Sequence, residues 1–374
     1  MLTSTSASAA KRAVKKNPGK SAAKPAAGAH AEHAAHEPVA LPEEPAANWQ
    51  HYEIQSTIAL AGLTGKARVW LPLPLYKDSS WARSLGLRWQ GNFESAAIYR
   101  DPVAEMEVFY ADFADAANAR LEITSQIATQ DRHFDITRRG GAAERTEVLR
   151  RCLQATEFVP NDGAVRRTAE TAVGRIKDPV AQGKAIYDWI VDRTAYEPHV
   201  GAIDVGDIGA LLQQGSMDGT VSGRSIDISL LFVGLCRSIG IPARPVFGLR
   251  VDRSRLFPSL GVSGDLASAQ HCRAEFYTPG YGWIPVDPAD VCRAIHEERL
   301  VRGGPQLTVL KKLLFGFWEM NWIGFNAAQD VSLQGSSGKP LAFLNAPVVE
   351  SAGRRFDAKS TQVNYAVSAT RVDS

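Results

Sequence analysis

Four kinds of hydrophobic pattern follow one another along this chain. Between residues 49 and 136, runs at 51–59, 67–72, 105–112 and 119–129 alternate apolar and polar positions and are separated by turns, which predicts a small antiparallel sheet domain. From about residue 143 the period lengthens. Stretches 143–157, 164–176 and 178–194 place apolar residues three or four apart and predict helices, the last starting at Asp178-Pro179 and turning Ala181, Ala185, Ile186, Trp189 and Ile190 toward a core. After a short helix following Gly206-Asp207-Ile208, the run from Ser225 to Ser238 is apolar on nearly every side and predicts a buried helix. Gly240 suits its C-terminal cap, and Pro242 stands where the helix cannot continue. A strand follows at 246–251. Runs 272–277 and 283–286 then flank a dense turn signal, Thr278-Pro279-Gly280-Tyr281-Gly282, and predict a hairpin. Beyond Asp287 the pattern is weaker, with a helix expected at 305–315, a strand or packed extension around Trp318, Trp322 and Phe325, and a closing strand at 363–367.

Composition sharpens this picture in three places. The 374 residues, 45% of them hydrophobic, suffice for a sizeable core in two folded parts, and the formal charge is only +2. That small charge conceals a basic N-terminal segment in which Lys11, Arg12, Lys15, Lys16, Lys20 and Lys24 meet no acid. Residues 1–47, rich in Ala, Lys, Ser and Pro, read as a disordered tail. The tail has no aromatic residue before Trp49, so a base-stacking surface for nucleic acid is not expected. His30, His33 and His36 lack a second ligand cluster nearby, and no metal or other cofactor is expected. No run is long enough to span a bilayer and no apolar signal segment opens the chain, so a cytoplasmic location is the default expectation. The four cysteines, Cys152, Cys236, Cys272 and Cys292, form neither a disulfide framework nor a zinc spacing and read as buried apolar residues.

The candidate chemistry lies on the buried helix and the hairpin. Gly223-Arg224 leads into Ser225 at the helix N-terminus, where unpaired N–H groups and the helix dipole stabilise negative charge. A hairpin centred near Pro279 pairs residues whose numbers sum to roughly 558–560, which sets His271 opposite Asp287 or its neighbour. A hydroxyl, an imidazole and a carboxylate so arranged are nucleophile, base and orienter.

These segments resemble the core of the transglutaminase-like superfamily, with its papain-like fold. Gly240-Ile241-Pro242-Ala243-Arg244, His271, Ala274-Glu275-Phe276, Gly282-Trp283 and Asp287-Pro288 match its motifs over about residues 180–292. The resemblance implies an α+β architecture, with the helix bearing the nucleophile packed on an antiparallel sheet. Its expected division is a tail at 1–47, an N-terminal β domain at 48–136, a core at 137–300 and a C-terminal extension at 301–374 packed on that core. It also implies acyl transfer or hydrolysis on amide bonds of a peptide or protein substrate, and export as the alternative location. One departure stands out: the position of the nucleophilic cysteine is Ser225, within Gly223-Arg224-Ser225-Ile226-Asp227. Three readings are open, namely a replacement made to trap an inactive form, the natural residue of a silent relative that binds without turnover, and a working serine nucleophile. In the superfamily the approach to Gly223 walls the substrate groove, which makes Tyr196 and His199 candidates for a second oxyanion donor. Arg273 stands where many relatives carry an aromatic residue and is expected to tune groove charge toward acidic substrates. Arg244 and Glu275 are expected as a structural ion pair, and Asp227 as a helix N-terminal carboxylate.

Overall fold

The computed structural model describes residues 49–199, 205–262 and 266–372; the tail with His30, His33 and His36 lies outside them. The chain begins with β1 (Gln50–Leu60), β2 (Ala67–Pro72), β3 (Ala82–Gly91), β4 (Ser95–Asp101), β5 (Met106–Phe113) and β6 (Arg120–Thr129). The alternating runs account for β1, β2, β5 and β6. The pattern misses β3 and β4 because both lie largely open to solvent and their two faces differ little in polarity. Two antiparallel sheets result, β17-β1-β6-β3 and β16-β15-β2-β5-β4. Side chains from both, including Ile58, Val69, Phe109, Leu121, Ile123 and Val349, fill one core between them.

The chain leaves this sandwich through β7 (Arg132–His133) and builds α1 (Thr146–Arg151), α2 (Gly163–Val173), α3 (Pro179–Arg193), β8 (Thr194–Tyr196), α4 (Ile208–Asp218), β9 (Val221–Gly223) and α5 (Ser225–Ser238). The first helix is shorter than its period suggests. The carbonyls of Leu153 and Gln154 accept from the Asn161 amide and the Arg237 guanidinium, and Thr156 and Val159 close a turn on each other. In α3 the Asp178 side chain accepts from the Ala181 N–H at 2.8 Å and starts the helix. The buried stripe is Gly183, Ile186, Tyr187, Ile190 and Val191, rotated from the expected one. Gly183 sets the rotation: a Cβ there would lie 2.6 Å from the Phe276 ring, so only a glycine lets that ring onto the helix.

The core sheet follows as β10 (Ala243–Arg250), β11 (Gln270–Thr278) and β12 (Gly282–Val286), then α6 (Pro288–Glu297), α7 (Pro305–Leu313), β13 (Phe317–Trp318) and β14 (Trp322–Asn326). Its order is β12-β11-β10-β14, antiparallel throughout. Helix α5 lies on one face, with every residue from Asp227 to Ser238 buried, and Gly240 at φ +86° releases the chain into Pro242 and β10. Cys272, Ala274 and Phe276 belong to the core cluster shared with α5, while His271, Arg273 and Glu275 alternate to the other face.

The stretch 301–374, expected as one extension on the core, divides. β14 pairs with β10 of the core, whereas β15 (Val348–Ser351) pairs with β2, β16 (Arg354–Asp357) with β15, and β17 (Val363–Val372) with β1. The physical reason is edge pairing: β1 and β2 would otherwise offer unpaired backbone, and Val363 and Val367 bury on the inner side of β17. Among the described residues no helix is long and apolar enough to cross a membrane.

Candidate active site

Ser225 is the first residue of α5 and is half-buried. Its approach is held by a parallel pairing of β8 with β9 and by the Glu197 N–H, which donates to the Gly223 carbonyl at 2.9 Å. Asp227 fixes the helix start: its carboxylate accepts from the Arg224 N–H at 2.9 Å, from Arg224 Nε at 2.6 Å and from the Gly206 N–H at 2.7 Å. One buried carboxylate thus ties the helix N-terminus to the loop before α4.

Helix α5 and strand β11 run in the same sense. Ser229 Oγ donates to the Cys272 carbonyl at 2.7 Å, and farther along the Phe232 and Phe276 rings meet at 5.8 Å. Ser225, one turn before Ser229, therefore comes level with the first residues of β11, where His271 stands.

His271 is buried, and its Nε2 lies 2.8 Å from Asp287 Oδ2 and 3.4 Å from Asp290 Oδ1. The β11–β12 register joins Ala274 to Val286, so Asp287 falls level with Arg273, and His271 reaches the carboxylate on the diagonal rather than directly across. Asp287 also caps α6, its Oδ1 accepting from the Asp290 N–H at 2.9 Å. Asp290 in turn pairs with Arg250 through Nη2, and Arg273 Nε approaches Asp287 Oδ2 at 3.3 Å. Burial pushes the His271 imidazole below its ordinary range and Arg250 adds to this, while Asp290 and Asp287 only partly offset them. The ring is therefore neutral near pH 7. With Nε2–H donated to Asp287, Nδ1 carries the lone pair, and it has no hydrogen-bond partner among the described residues.

Arg273 does not reach a groove. It is 2% exposed, donates to the Glu319 carbonyl at 2.9 Å and lies over the Trp322 ring at 4.7 Å, so the expected role in groove charge is overturned. The alternation of β11 turns it inward, and its charge is spent on Asp287. Arg250, Asp290 and Glu319 escaped the sequence reading; the available signal was the acid spacing in Asp287-Pro288-Ala289-Asp290 at a helix start. His271, Asp287 and Asp290 bring their donor atoms within 4.8 Å of one another, a set able in type to hold a divalent cation. The guanidiniums of Arg250 and Arg273 already meet these carboxylates, so the set reads as an internally neutralised one.

The remaining candidates are structural or distant. Arg244 Nε donates to Glu275 at 2.6 Å, and Arg132 takes the other carboxylate oxygen at 2.6 Å. Burial would raise the Glu275 carboxyl, but Arg244 and Arg132 hold it at about 2. All four cysteines are buried free thiols, and burial pushes each of them up and away from thiolate. Tyr196 packs its ring against His296 at 5.6 Å and His199 is exposed. Among the described residues, neither side chain donates a hydrogen bond to Ser225.

Comparison with known proteins agrees with this architecture. Residues 166–288 match the family model of the transglutaminase-like superfamily. An uncharacterized protein of Haemophilus influenzae is 29% identical over 341 residues, covering 84% of this chain and 90% of its own. A candidate cysteine protease from Cytophaga hutchinsonii superposes with a TM-score of 0.53 at 15% identity, covering 87% of this chain and 92% of that one, which shows the fold. The periplasmic domain of TgpA from Pseudomonas aeruginosa aligns at a TM-score of 0.36 and 16% identity, over 66% of this chain and 98% of that one.

Proposed function

Residues 166–288 make this chain a member of the transglutaminase-like superfamily, and on that premise we propose that it acts on amide bonds of peptides or proteins by acyl transfer or hydrolysis, with low turnover. Ser225 stands at the position of the nucleophile, His271 is the base and Asp287 its orienter. The observation that carries this reading is the one-sided pairing of His271: Nε2 is 2.8 Å from Asp287 and Nδ1 is left without a partner.

In this mechanism Ser225 Oγ attacks the amide carbon while its proton passes to His271 Nδ1. The C–N bond then breaks and the imidazolium returns that proton to the departing amine. Water or a second amine attacks the resulting ester, giving its proton to His271, which hands it to the leaving Ser225 oxygen. The Ser225 N–H at the start of α5 is a donor for the oxyanion, and such a donor is worth about 3–4 kcal/mol when lost. Asp287 stabilises the imidazolium.

Turnover is proposed to be low because oxygen replaces sulfur. Among the described residues no hydrogen bond joins Ser225 to His271 Nδ1. A C–O bond is shorter than a C–S bond, and misplacement by about 1 Å costs on the order of a hundredfold. A second reading, a peptide- or protein-binding module without turnover, is favoured by one observation: the His271 and Asp287 side chains are each only 1% exposed.

The test is intact mass and ammonia release after incubation with glutaminyl and asparaginyl peptides and a primary amine, for the chain and for Ser225→Cys. The expected result is an acyl adduct in the cysteine form and a far weaker signal with Ser225. Equal turnover by both would establish an efficient serine enzyme, and silence from both would leave the binding module.

A further inference from the structure

Helix α6 opens with two acids, Asp287 at its cap and Asp290 in its first turn, and both reach the same imidazole. His271 Nε2 lies 2.8 Å from Asp287 Oδ2 and 3.4 Å from Asp290 Oδ1, and all three side chains are buried. The neutral ring has one N–H to give. Asp287 takes it, and Asp290 flanks it at the longer distance.

Arg250 keeps Asp290 there. Its Nη2 holds Asp290 Oδ1, the oxygen beside the ring, and its Nη1 lies 3.3 Å from Oδ2, so the carboxylate is gripped as a fork. Arg250 is 2% exposed and anchored in turn: Nη1 donates to the Leu260 carbonyl, which also accepts from Asn321 Nδ2 at 3.1 Å. Asp290 is therefore not free to rotate onto the imidazole. Burial would raise its carboxyl, but Arg250 and then His271 outweigh that and hold it ionised. The main chain of the same residue donates to Asp287 Oδ1 at 2.9 Å and leaves Oδ2 for the ring.

The other ionisable groups nearby are engaged elsewhere or neutral. Arg273, on the same strand as His271, approaches Asp287 at 3.3 Å, Glu319 takes Arg255 at 3.2 Å, and Asp227 of α5 holds Arg224. Burial pushes up Tyr187 of α3 and the thiols of Cys272 and Cys292, so they stay protonated. As an ion pair alone, Arg250 and Asp290 would be complete without the imidazole. The oxygen beside Nε2 matters to a ring that takes up a proton at Nδ1, because the imidazolium then has a second anion along that edge.

We propose that Asp290 is a positioning residue for His271, a second carboxylate fixed by Arg250 that keeps Nε2–H inward and Nδ1 as the base. It acts through the imidazole and touches no reacting atom. The inference rests on His271 serving as the base for Ser225.

Ring-nitrogen NMR of the full chain, with His271 assigned through His271→Gln, is expected to show the Nε2–H tautomer near pH 7. Asp290→Asn should admit the Nδ1–H form and lower the midpoint of the His271 titration. Arg250→Met, which removes a cation and releases Asp290 onto the ring, should raise that midpoint. In a Ser225→Cys background, Asp290→Asn should lower kcat roughly ten- to a hundredfold with KM within about twofold. Where a single variant fails to fold, Arg250→Gln with Asp290→Asn leaves no unpaired buried ion and should show the same mixed tautomer and loss of kcat. An unchanged tautomer and kcat reduce Asp290 to a stabilising partner of Arg250 and overturn the proposal, as do midpoints that move the same way in the two single variants. Silence of Ser225→Cys on every amide overturns the reading of the reaction instead. The ring spectra then decide alone: the Nδ1–H form appearing in Asp290→Asn upholds the positioning role, and its absence ends it.

Discussion

Asp287 stands level with Arg273 on the β11–β12 ladder, yet its Oδ2 lies 2.8 Å from His271 Nε2, two residues away along the strand. The carboxylate therefore serves a buried guanidinium and a buried neutral imidazole at once, and Asp287→Asn should fail in both duties. In a Ser225→Cys background, kcat/KM on amide peptides is expected to fall roughly 10²–10⁴-fold, the range for a disturbed acid–base group. Urea unfolding should also show a loss of about 3–5 kcal/mol, because Arg273 loses its carboxylate in a dry site. Full activity in that variant would remove Asp287 from the mechanism.

The cysteine form offers a sharper probe of the helix terminus. At the first turn of α5 and beside an imidazole, the thiol of Ser225→Cys is expected to ionise below the ordinary value of about 8.5. Iodoacetamide should label it near neutral pH, while Cys152, Cys236, Cys272 and Cys292 stay protected until the chain unfolds. Labelling at the rate of a free thiol across the pH range would refute the electrostatic account.

His271 makes a pH prediction with a definite sign. Its imidazole is held below its ordinary value, first by burial and then by Arg250. The folded chain therefore binds fewer protons there than the unfolded chain. This contribution to stability is present above about pH 6.5 and is lost as pH falls through the folded value. Any serine turnover should likewise keep its plateau down to and below that pH, and fall only as Nδ1 is protonated. An acid limb centred above pH 6.5 would contradict the neutral base.

Glu275 gives the larger acid effect. Its carboxyl, ordinarily near 4.5, is held at about 2 by Arg244 and Arg132 against burial. The associated stability, on the order of 3 kcal/mol, is fully present above pH 4.5 and is lost as pH falls toward 2. Urea titrations across that window should show the slope, and Glu275→Gln should flatten it while lowering stability at pH 7.

Periodicity and punctuation made the scaffold of the site legible. The apolar run at α5, Gly240 with Pro242 behind it, and the glycine-rich turn between β11 and β12 each dictate local structure within a few residues. The hairpin also brought His271 and Asp287 into one neighbourhood, although turn length left the register open by a residue or two. The charge shell was not legible. Arg250 meets Asp290 across 40 residues, and Asp131 accepts from the Met320 N–H across 189, separations at which no local period speaks. The inward turn of Arg273 follows from strand alternation, but its neutral surroundings depend on those distant partners.

Gly183 shows how such distant packing reaches the site. Its missing Cβ admits the Phe276 ring to 2.6 Å of where that atom would stand, and Phe276 sits on β11, the strand that carries His271. The ring cannot retreat freely, since it also meets Phe232 at 5.8 Å and Phe315 at 5.9 Å. Gly183→Ala is a gain in helix propensity of about 1 kcal/mol on an isolated helix. Overpacking a filled core costs about 1–3 kcal/mol, so the clash should win and the melting temperature should fall. The strand should also shift against α5, so that iodoacetamide labelling of Ser225→Cys slows in the double variant. A stabilised double variant with unchanged labelling would mean that α3 yields instead of the ring.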